Sequence, residues 1–317
     1  MGLAEDSLMS VSGLYSRLVL VESGVRIHYV TAGEDGPAVV LLHGGGPGSS
    51  GTAAWHKIAP FLGSKGFRVY CPDLPGFGLT RVPEDAAVFG RGGHRHVLHE
   101  FVNALGIDRF HLGGTWTGSD TVAGYTCANP DRVTSFALIA GPVGDILSQD
   151  EMRALDSRPP NERPQIAKFD GTEESMRAAM TAITHDPRSV RDDAVRMRTA
   201  AANLQSSTFA RHQACLADSD PNLAASLSIK GRFDVLTTPG ICIWGRSDSL
   251  APLEAGFALE DRLPNVDFFY PEGVGHQDQN ERLEIFTSVL LEFFRDGAVG
   301  SSTAEIAGIS RRRTGLP

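Results

Sequence analysis

The stretch HLGGTWTGSD (residues 111–120) contains the turn on which the fold assignment depends. Gly114 and Gly118 frame a G-x-W-x-G pattern. The familiar form of this pattern, G-x-S-x-G, places a nucleophilic serine on a sharp turn between a strand and a helix. Here Trp116 takes the central position, and an indole is not a nucleophile. Because both glycines that relieve crowding in such a turn are present, we predict that the turn is kept and its nucleophile is replaced.

Short apolar segments alternate with helical ones on both sides of this turn. Near-continuous apolar runs such as AVVLL are typical of strands that are buried on both faces of a parallel sheet. The alternation therefore predicts an α/β fold. Strands are predicted at 25–30, 38–42, 67–71, 109–112, 133–139, 240–244 and 266–270, and helices at 96–105, 119–128 and 281–294.

Residues 144–230 interrupt this alternation. The segment is charged and favours helix, as in EESMRAAMTAIT, and it contains no strand candidate. We expect it to form a helical cap above the carboxyl ends of the strands, where open α/β sheets bind ligands. The core then comprises residues 13–143 and 231–296, while 1–12 and 297–317 are expected to be flexible tails.

Composition limits the classes of partner. The chain has 29 Lys and Arg residues against 38 Asp and Glu residues, and this net charge of −9 argues against binding nucleic acid. The four cysteines form no C-x-x-C pair, and the acidic N-terminus does not resemble a signal peptide. We therefore expect a cytoplasmic protein with a small-molecule substrate, no metal or other cofactor and no membrane partner, and we leave a homo-oligomer open.

Further stretches that bear on chemistry follow the strands in a fixed order. HGGGPGSSG (residues 43–51) comes directly after the strand AVVLL, and its glycines allow backbone N–H groups to approach a developing negative charge. Asp248 in WGRSDSLAP follows a later strand, and His276 in GVGHQDQNE lies before the final helix. The order of glycine loop, turn, acid and histidine is that of a hydrolase active site.

This arrangement resembles the α/β-hydrolase family, and most closely the meta-cleavage-product hydrolases, which cut carbon–carbon bonds in the degradation of aromatic compounds. The shared stretches are LLHGGGPG, DLPGFG, ALGIDRFHLGG, NPDRV, IWGRSD and GVGH. The resemblance extends from about residue 25 to residue 294. It implies the α/β-hydrolase fold, which is a mostly parallel sheet flanked by helices with an inserted helical cap.

The resemblance also implies roles for individual residues. His276 would be the catalytic histidine and Asp248 the acid that orients it, with Trp116 as the third residue of the catalytic group. The oxyanion donors would be the backbone N–H groups of Thr117 and of a glycine at 44–46. The candidates for the oxyanion site are Gly44, Gly45, Gly46 and Thr117. The candidates for substrate binding are Thr115, Ser50, Arg198 and Gln277.

The missing serine leaves several functions open. In the first, His276 and Asp248 act as a general-base pair without a covalent intermediate, and Trp116 forms a pocket wall that stacks on a flat substrate. Such an enzyme is an isomerase, a lyase, a cyclase or a hydrolase that uses activated water, and its substrate is small, apolar and aromatic or polyketide-like. In the second, the chain is a ligand-binding protein on an inactive scaffold. In the third, it is an ordinary hydrolase whose nucleophile is Thr115 or a loop serine.

Overall fold

The structure of the protein, a computed structural model, describes residues 10–159, 161–217, 225–276, 278–308 and 310. An eight-stranded sheet with the order β1-β2-β4-β3-β5-β6-β7-β8 forms its centre. All seven predicted strands are present, with small shifts at their ends. The strands are β1 (Tyr15–Leu20), β2 (Arg26–Ala32), β3 (Ala38–Leu42), β4 (Arg68–Pro72), β5 (Phe110–Thr115), β6 (Val133–Ile139), β7 (Gly240–Ile243) and β8 (Val266–Phe269).

Strand β1 was not predicted from the sequence. It pairs antiparallel with β2 at the edge of the sheet, and most of its side chains are exposed, including Tyr15 and Leu20. An exposed edge strand lacks the continuous apolar run that marks the buried strands β3 and β5. Hydrophobic patterning therefore had no signal to detect there.

The sheet is mostly parallel, and its order places a topological switch at β3. Strand β3 pairs in parallel with β4 on one side and with β5 on the other. Leu42 at the end of β3 lies opposite Gly114 near the end of β5. Ligands bind in α/β sheets at such a point, outside the carboxyl ends of the strands, and both the glycine loop and the G-x-W-x-G turn begin there.

Helices pack against this sheet, with α2 against β2 and β4, and α4 against β3, β5 and β6. Among the described residues, none of the helices combines the length and apolarity that a membrane span requires. The helices are α1 (Gly51–Trp55), α2 (Ile58–Ser64), α3 (Gly90–Ala104), α4 (Thr117–Ala128), α5 (Gln149–Ala154), α6 (Glu173–Ala182), α7 (Asp192–Leu204), α8 (Ser206–Ala217), α9 (Leu253–Arg262), α10 (Asp278–Glu281), α11 (Leu283–Asp296) and α12 (Ser301–Ile306).

Between β6 and β7 the chain forms the helices α5 to α8, which we call the insertion (residues 144–230). The described part of the insertion contains no strand. Met176 and Met180 on α6 pack with Val195 and Ala202 on α7 in a small apolar cluster of their own. The insertion is therefore held together by its own contacts as well as by contacts with the sheet.

The expectation of a flexible segment from residue 297 is wrong for its first part. Residues 301–306 form α12, and Ala304 and Ala307 are buried. The N–H of Tyr270, next to the end of β8, donates to the carbonyl oxygen of Gly308 at 3.0 Å. Buried Val299 and two bonds from Gly300 and Thr303 to the carboxylate of Glu292 add to these contacts, which the polar composition of the segment hides.

Candidate active site

Trp116 occupies the tip of the turn between β5 and α4 in a strained conformation. Its φ of 51° and ψ of −120° lie outside the regions that residues other than glycine normally adopt, at a cost of about 1–3 kcal/mol. The Trp116 N–H donates to the carbonyl oxygen of Ile139 at 2.9 Å. A Cβ on Gly114 would lie 2.6 Å from the Gly118 carbonyl carbon, and one on Gly118 would lie 2.7 Å from the His43 oxygen. The turn therefore requires both glycines of the pattern.

His276 and Asp248 form a buried pair beside this turn. Nδ1 of His276 lies 2.8 Å from Oδ2 of Asp248, and the two residues are 8% and 4% exposed. The other carboxylate oxygen of Asp248 accepts the N–H groups of Leu250 and Ala251 at 2.8 and 2.7 Å. An ionised carboxylate only accepts hydrogen bonds, so the proton of a neutral His276 resides on Nδ1 and Nε2 keeps its lone pair.

Trp116 packs directly on this histidine. The indole and imidazole centroids are 4.7 Å apart with planes at 86°, an edge-to-face contact. The structure gives the indole N–H of Trp116 no acceptor among the described residues, whereas that of Trp244 donates to Ala251. The tip of the turn thus presents a flat wall and an N–H donor next to His276, and the hydroxyls nearest in sequence belong to Thr115 and Thr117.

The glycine loop lies against the same turn. A Cβ on Gly45 would lie 2.8 Å from Oγ1 of Thr117, and one on Gly44 would lie 3.1 Å from Cβ of Trp116. Within the described part of the chain, the N–H groups of Gly44, Gly45, Gly46 and Thr117 donate to no protein atom. Thr117 is the first residue of α4, so its N–H belongs to the unsatisfied, electropositive end of a helix.

Buried His43 fixes the start of this loop. Its Nε2 accepts the N–H of Leu74 at 2.9 Å, so Nδ1 is the nitrogen that donates to the carbonyl oxygen of Gly44 at 2.7 Å. Burial lowers the pKa of His43, which favours the neutral form that this bonding needs. The orientation of the Gly44 peptide is therefore set by His43, which is not part of the His276–Asp248 pair.

Arg198 on α7 is the cation that contacts the glycine loop, and Arg153 and Lys168 line the cavity as well. Nη2 of Arg198 donates to the carbonyl oxygen of Pro47 at 3.2 Å and lies 3.5 Å from Oγ of Ser49, while its buried Nε has no partner. No carboxylate pairs with Arg198 among the described residues. Burial lowers the pKa of Arg198 to about 10, which leaves the guanidinium charged at neutral pH. An unpaired, partly buried cation of this kind suits an anionic group of a ligand.

These groups surround one cavity of about 630 Å³ between the ends of the strands and the insertion. Its walls include His276, Trp116, Arg198 and the glycine loop, with Phe169 and Phe209 from the insertion. No Asp or Glu lines it in the part of the chain that the structure describes. A cavity of this size holds a ligand of ordinary drug-like dimensions, and its charge favours an anion.

The remaining predicted residues differ in what they offer. Thr115 is buried at the end of β5 and lines the cavity, with no hydrogen bond to His276. The hydroxyl of Ser50 accepts the N–H of Ala53 at 3.0 Å, because Ser50 caps the start of α1. Gln277 lies outside the described residues. Phe209 and a further cavity residue, His212, were not predicted, because both come from the insertion, where no motif marks function.

Comparison with known proteins places this geometry in context. Residues 37–283 match the model of the family described as alpha/beta hydrolase fold. A 2-hydroxy-6-oxononadienedioate/2-hydroxy-6-oxononatrienedioate hydrolase of Burkholderia vietnamiensis is 27% identical over 306 residues, covering 92% of this chain and 99% of that protein. A 2-hydroxy-6-oxo-6-phenylhexa-2,4-dienoate hydrolase of Burkholderia cepacia is 28% identical over 281 residues, covering 87% and 93%.

Solved structures agree with these relatives. A meta-cleavage product hydrolase from Pseudomonas fluorescens IP01 superposes with a TM-score of 0.73 at 24% identity, covering 89% of this chain and 98% of that one. The 2-hydroxy-6-oxo-6-phenylhexa-2,4-dienoate hydrolase from a Rhodococcus strain gives a TM-score of 0.70 at 26% identity, covering 89% and 99%. The resemblance to meta-cleavage-product hydrolases and the expected fold are both confirmed.

Proposed function

Because the chain belongs to the α/β-hydrolase fold family and is an enzyme of that superfamily, we propose that it acts on a small unsaturated carboxylate by proton transfer at His276, without a serine nucleophile. One observation carries this proposal. A paired His276–Asp248 borders the cavity, while an indole, rather than a hydroxyl, occupies the tip of the turn beside it.

The base of the proposed reaction is Nε2 of His276. Asp248 holds the proton on Nδ1 and stabilises the imidazolium that forms when Nε2 accepts a proton. Two backbone N–H groups and the pairing with Nδ1 keep the carboxylate of Asp248 fixed while it does so. Positioned acid–base groups of this kind contribute about 100- to 10,000-fold to a rate.

The proposed reaction is a proton shift within the substrate. His276 takes the proton of an enol hydroxyl and returns it to a carbon of the conjugated chain, so that a dienol becomes its keto tautomer with no change in composition. The free N–H groups at Gly44–Gly46 and Thr117 stabilise the negative charge on the oxygen during this shift. If His276 then activates water against the ketone, the same site becomes a hydrolase that needs no covalent intermediate.

The substrate class follows from the cavity and from the relatives. The relatives are named for 6-oxo-dienoates, which combine a carboxylate with a conjugated chain. Arg198 supplies the counter-charge for such a carboxylate, and Trp116 supplies a flat wall for the chain.

The hydrogen bond that Ser119 Oγ donates to the Gly114 oxygen at 2.8 Å supports a route without this serine as nucleophile. A cytoplasmic location is part of the proposal, and the described cysteines form no disulfide bond with one another.

The test uses 2-hydroxy-6-oxo-6-phenylhexa-2,4-dienoate and a fluorophosphonate probe. The protein should convert the dienol, seen as loss of its visible absorbance, and deuterium from D₂O should enter the carbon chain. Release of benzoate would report that water attack follows. His276→Ala should lose this activity, and the wild-type protein should remain unlabelled by the fluorophosphonate. Labelling of the wild-type protein at Thr115 or at a loop serine would overturn the proposal in favour of an ordinary serine- or threonine-type hydrolase.

A further inference from the structure

His212, on α8 of the insertion, is a second histidine that borders the cavity and is not part of the His276–Asp248 pair. It is 3% exposed, and its Nδ1 is completely buried without a hydrogen-bond partner. Nε2 makes no hydrogen bond with the described residues either. The buried Nδ1 without a partner costs about 1–3 kcal/mol, and Nε2 is the nitrogen left to meet a ligand in the cavity.

The ring of His212 is held in one orientation. It stacks on His94 with centroids 4.9 Å apart and planes at 5°, and Phe77 contacts it edge-on at 5.0 Å and 67°. His94 is itself fixed, since one ring nitrogen lies 3.1 Å from the carbonyl oxygen of Pro75. A Cβ on Gly76 would lie 3.0 Å from Cβ of His212, so the backbone approaches closely from that side. The imidazole is therefore pre-organised and does not have to be ordered by a ligand.

The imidazole of His212 is also neutral. Burial, and to a lesser extent the nearby His43, lowers the pKa of His212 to about 4. Burial, and to a lesser extent the neighbouring His212, lowers the pKa of His94 to about 3. A neutral imidazole offers one N–H donor and one acceptor nitrogen. That combination matches a hydroxyl or a carbonyl group, whereas a carboxylate is better served by the cation of Arg198.

The surroundings of His212 indicate which part of a ligand it meets. Phe209 lines the same cavity, and its ring centroid lies 6.4 Å from that of His212. The apolar side chains of Ile166 and Leu216 line the cavity as well. Aromatic and aliphatic walls of this kind accommodate a flat ring. The hydrogen-bonding group that His212 recognises therefore belongs to a ring or to an atom beside it.

We infer that His212 is a specificity-determining residue, which hydrogen-bonds a neutral hydroxyl or carbonyl group on the ring-bearing end of the substrate while Arg198 binds its carboxylate. This inference rests on the proposed function for the identity of the carboxylate end. It narrows the substrate class to unsaturated carboxylates whose distal ring carries an oxygen substituent.

The test compares 2-hydroxy-6-oxo-6-phenylhexa-2,4-dienoate with its three analogues that carry one hydroxyl group on the phenyl ring. Dissociation constants are measured in the His276→Ala variant, which by the proposed function does not convert the compounds, from the quenching of tryptophan fluorescence, since Trp116 lines the cavity. In this variant one hydroxylated analogue should bind about 3- to 10-fold more tightly than the parent, the effect of one net hydrogen bond. Adding His212→Phe keeps the stacked ring and should make all four compounds bind equally.

Matched variants separate recognition from packing. Phe209→Leu and Arg198→Met should weaken all four compounds by similar factors and leave the preference intact. His212→Gln retains a donor and an acceptor and should keep part of the preference if His212→Phe does not fold. A preference that survives when folded protein carries His212→Phe, or the absence of a preference when His212 is present, overturns the inference.

The same measurements distinguish this inference from the proposed function. Selective binding through His212 without conversion of any compound would refute the proposed reaction and support the recognition site. Conversion of all compounds without selectivity would support the reaction and refute the role of His212. Binding of none of the compounds would overturn both.

Discussion

Replacing Trp116 with serine tests whether the indole is part of the reaction or a filler. The variant restores the G-x-S-x-G pattern and places Oγ on the Cβ that now carries the indole. Because the indole edge packs on His276 with centroids 4.7 Å apart, its removal leaves the new hydroxyl beside the existing base. The unsatisfied N–H of Thr117 and those of the glycine loop are already in place to stabilise an oxyanion.

The expected magnitudes follow from these contacts. The strain of about 1–3 kcal/mol at this φ applies to serine as it does to tryptophan, so the turn should persist. Trp116 is only partly buried, so its loss should cost less than the about 3–5 kcal/mol of a fully buried aromatic side chain. Conversion of the dienol should fall on the order of 100-fold, since a substrate misplaced by about 1 Å loses that much.

The assay combines dienol turnover with labelling by the fluorophosphonate. Trp116→Ser should become labelled at residue 116, and adding His276→Ala should abolish the labelling. Trp116→Ala is the matched control, because it opens the same space without a hydroxyl and should lose turnover without labelling. Trp116→Phe keeps a ring but loses the indole N–H. Native turnover in Trp116→Ser would refute the reasoning, since the indole would then have no part in the reaction.

Other perturbations test the remaining parts of the site. Asp248→Asn should lower dienol turnover by about 100-fold or more, because an amide can donate to Nδ1 and reverse the tautomer of His276. Asp73→Asn, in a similarly buried histidine pair that does not line the cavity, should chiefly lower the melting temperature. Arg198→Met should raise KM about 10- to 100-fold with little change in kcat, because a hydrogen bond to a charged group contributes on that scale. An unchanged KM would exclude binding of the substrate carboxylate at Arg198. Burial raises the pKa of Glu281 above its ordinary value of 4.5, so its contribution to stability is present below about pH 4.5 and is lost as pH rises through the raised pKa. The melting temperature of the wild-type protein should therefore fall as pH rises through the raised pKa of Glu281, and that of Glu281→Gln should not show this fall. Parallel curves for the two proteins would contradict the role given to Glu281.

The sequence predicted those features that local chemistry determines. The buried strands were visible as apolar runs, and the G-x-W-x-G turn was visible as two glycines at the correct spacing. Asp248 and His276 were expected to meet because GRSD and GVGH stand in the order typical of the family, and the structure brings the two side chains within hydrogen-bonding distance. Motifs of this kind survive because the backbone itself requires particular residues.

The features that were not predicted depend on contacts between distant segments. His212 becomes part of the cavity only because the insertion folds over the sheet and sets it against His94, which is far away in sequence. Glu281 holds the loop of His276 by accepting the N–H groups of Gly275 and His185 at 3.1 and 2.8 Å, and His185 belongs to the insertion. No local pattern encodes either contact, because each partner is an ordinary residue of its own helix or loop.

The turn at Trp116 is able to persist without a serine because its geometry does not depend on the side chain at its tip. Ser119 donates to the carbonyl oxygens of Gly114 and Ile139 at 2.8 and 3.1 Å and accepts the Ile139 N–H at 3.0 Å. A Cβ on Gly141 would lie 2.6 Å from Cα of Trp116, so the neighbouring strand end also presses on the turn. These contacts tie β5, β6 and α4 together through backbone and one buried hydroxyl. The residue at position 116 can therefore differ while Thr117 stays at the start of α4 beside the cavity.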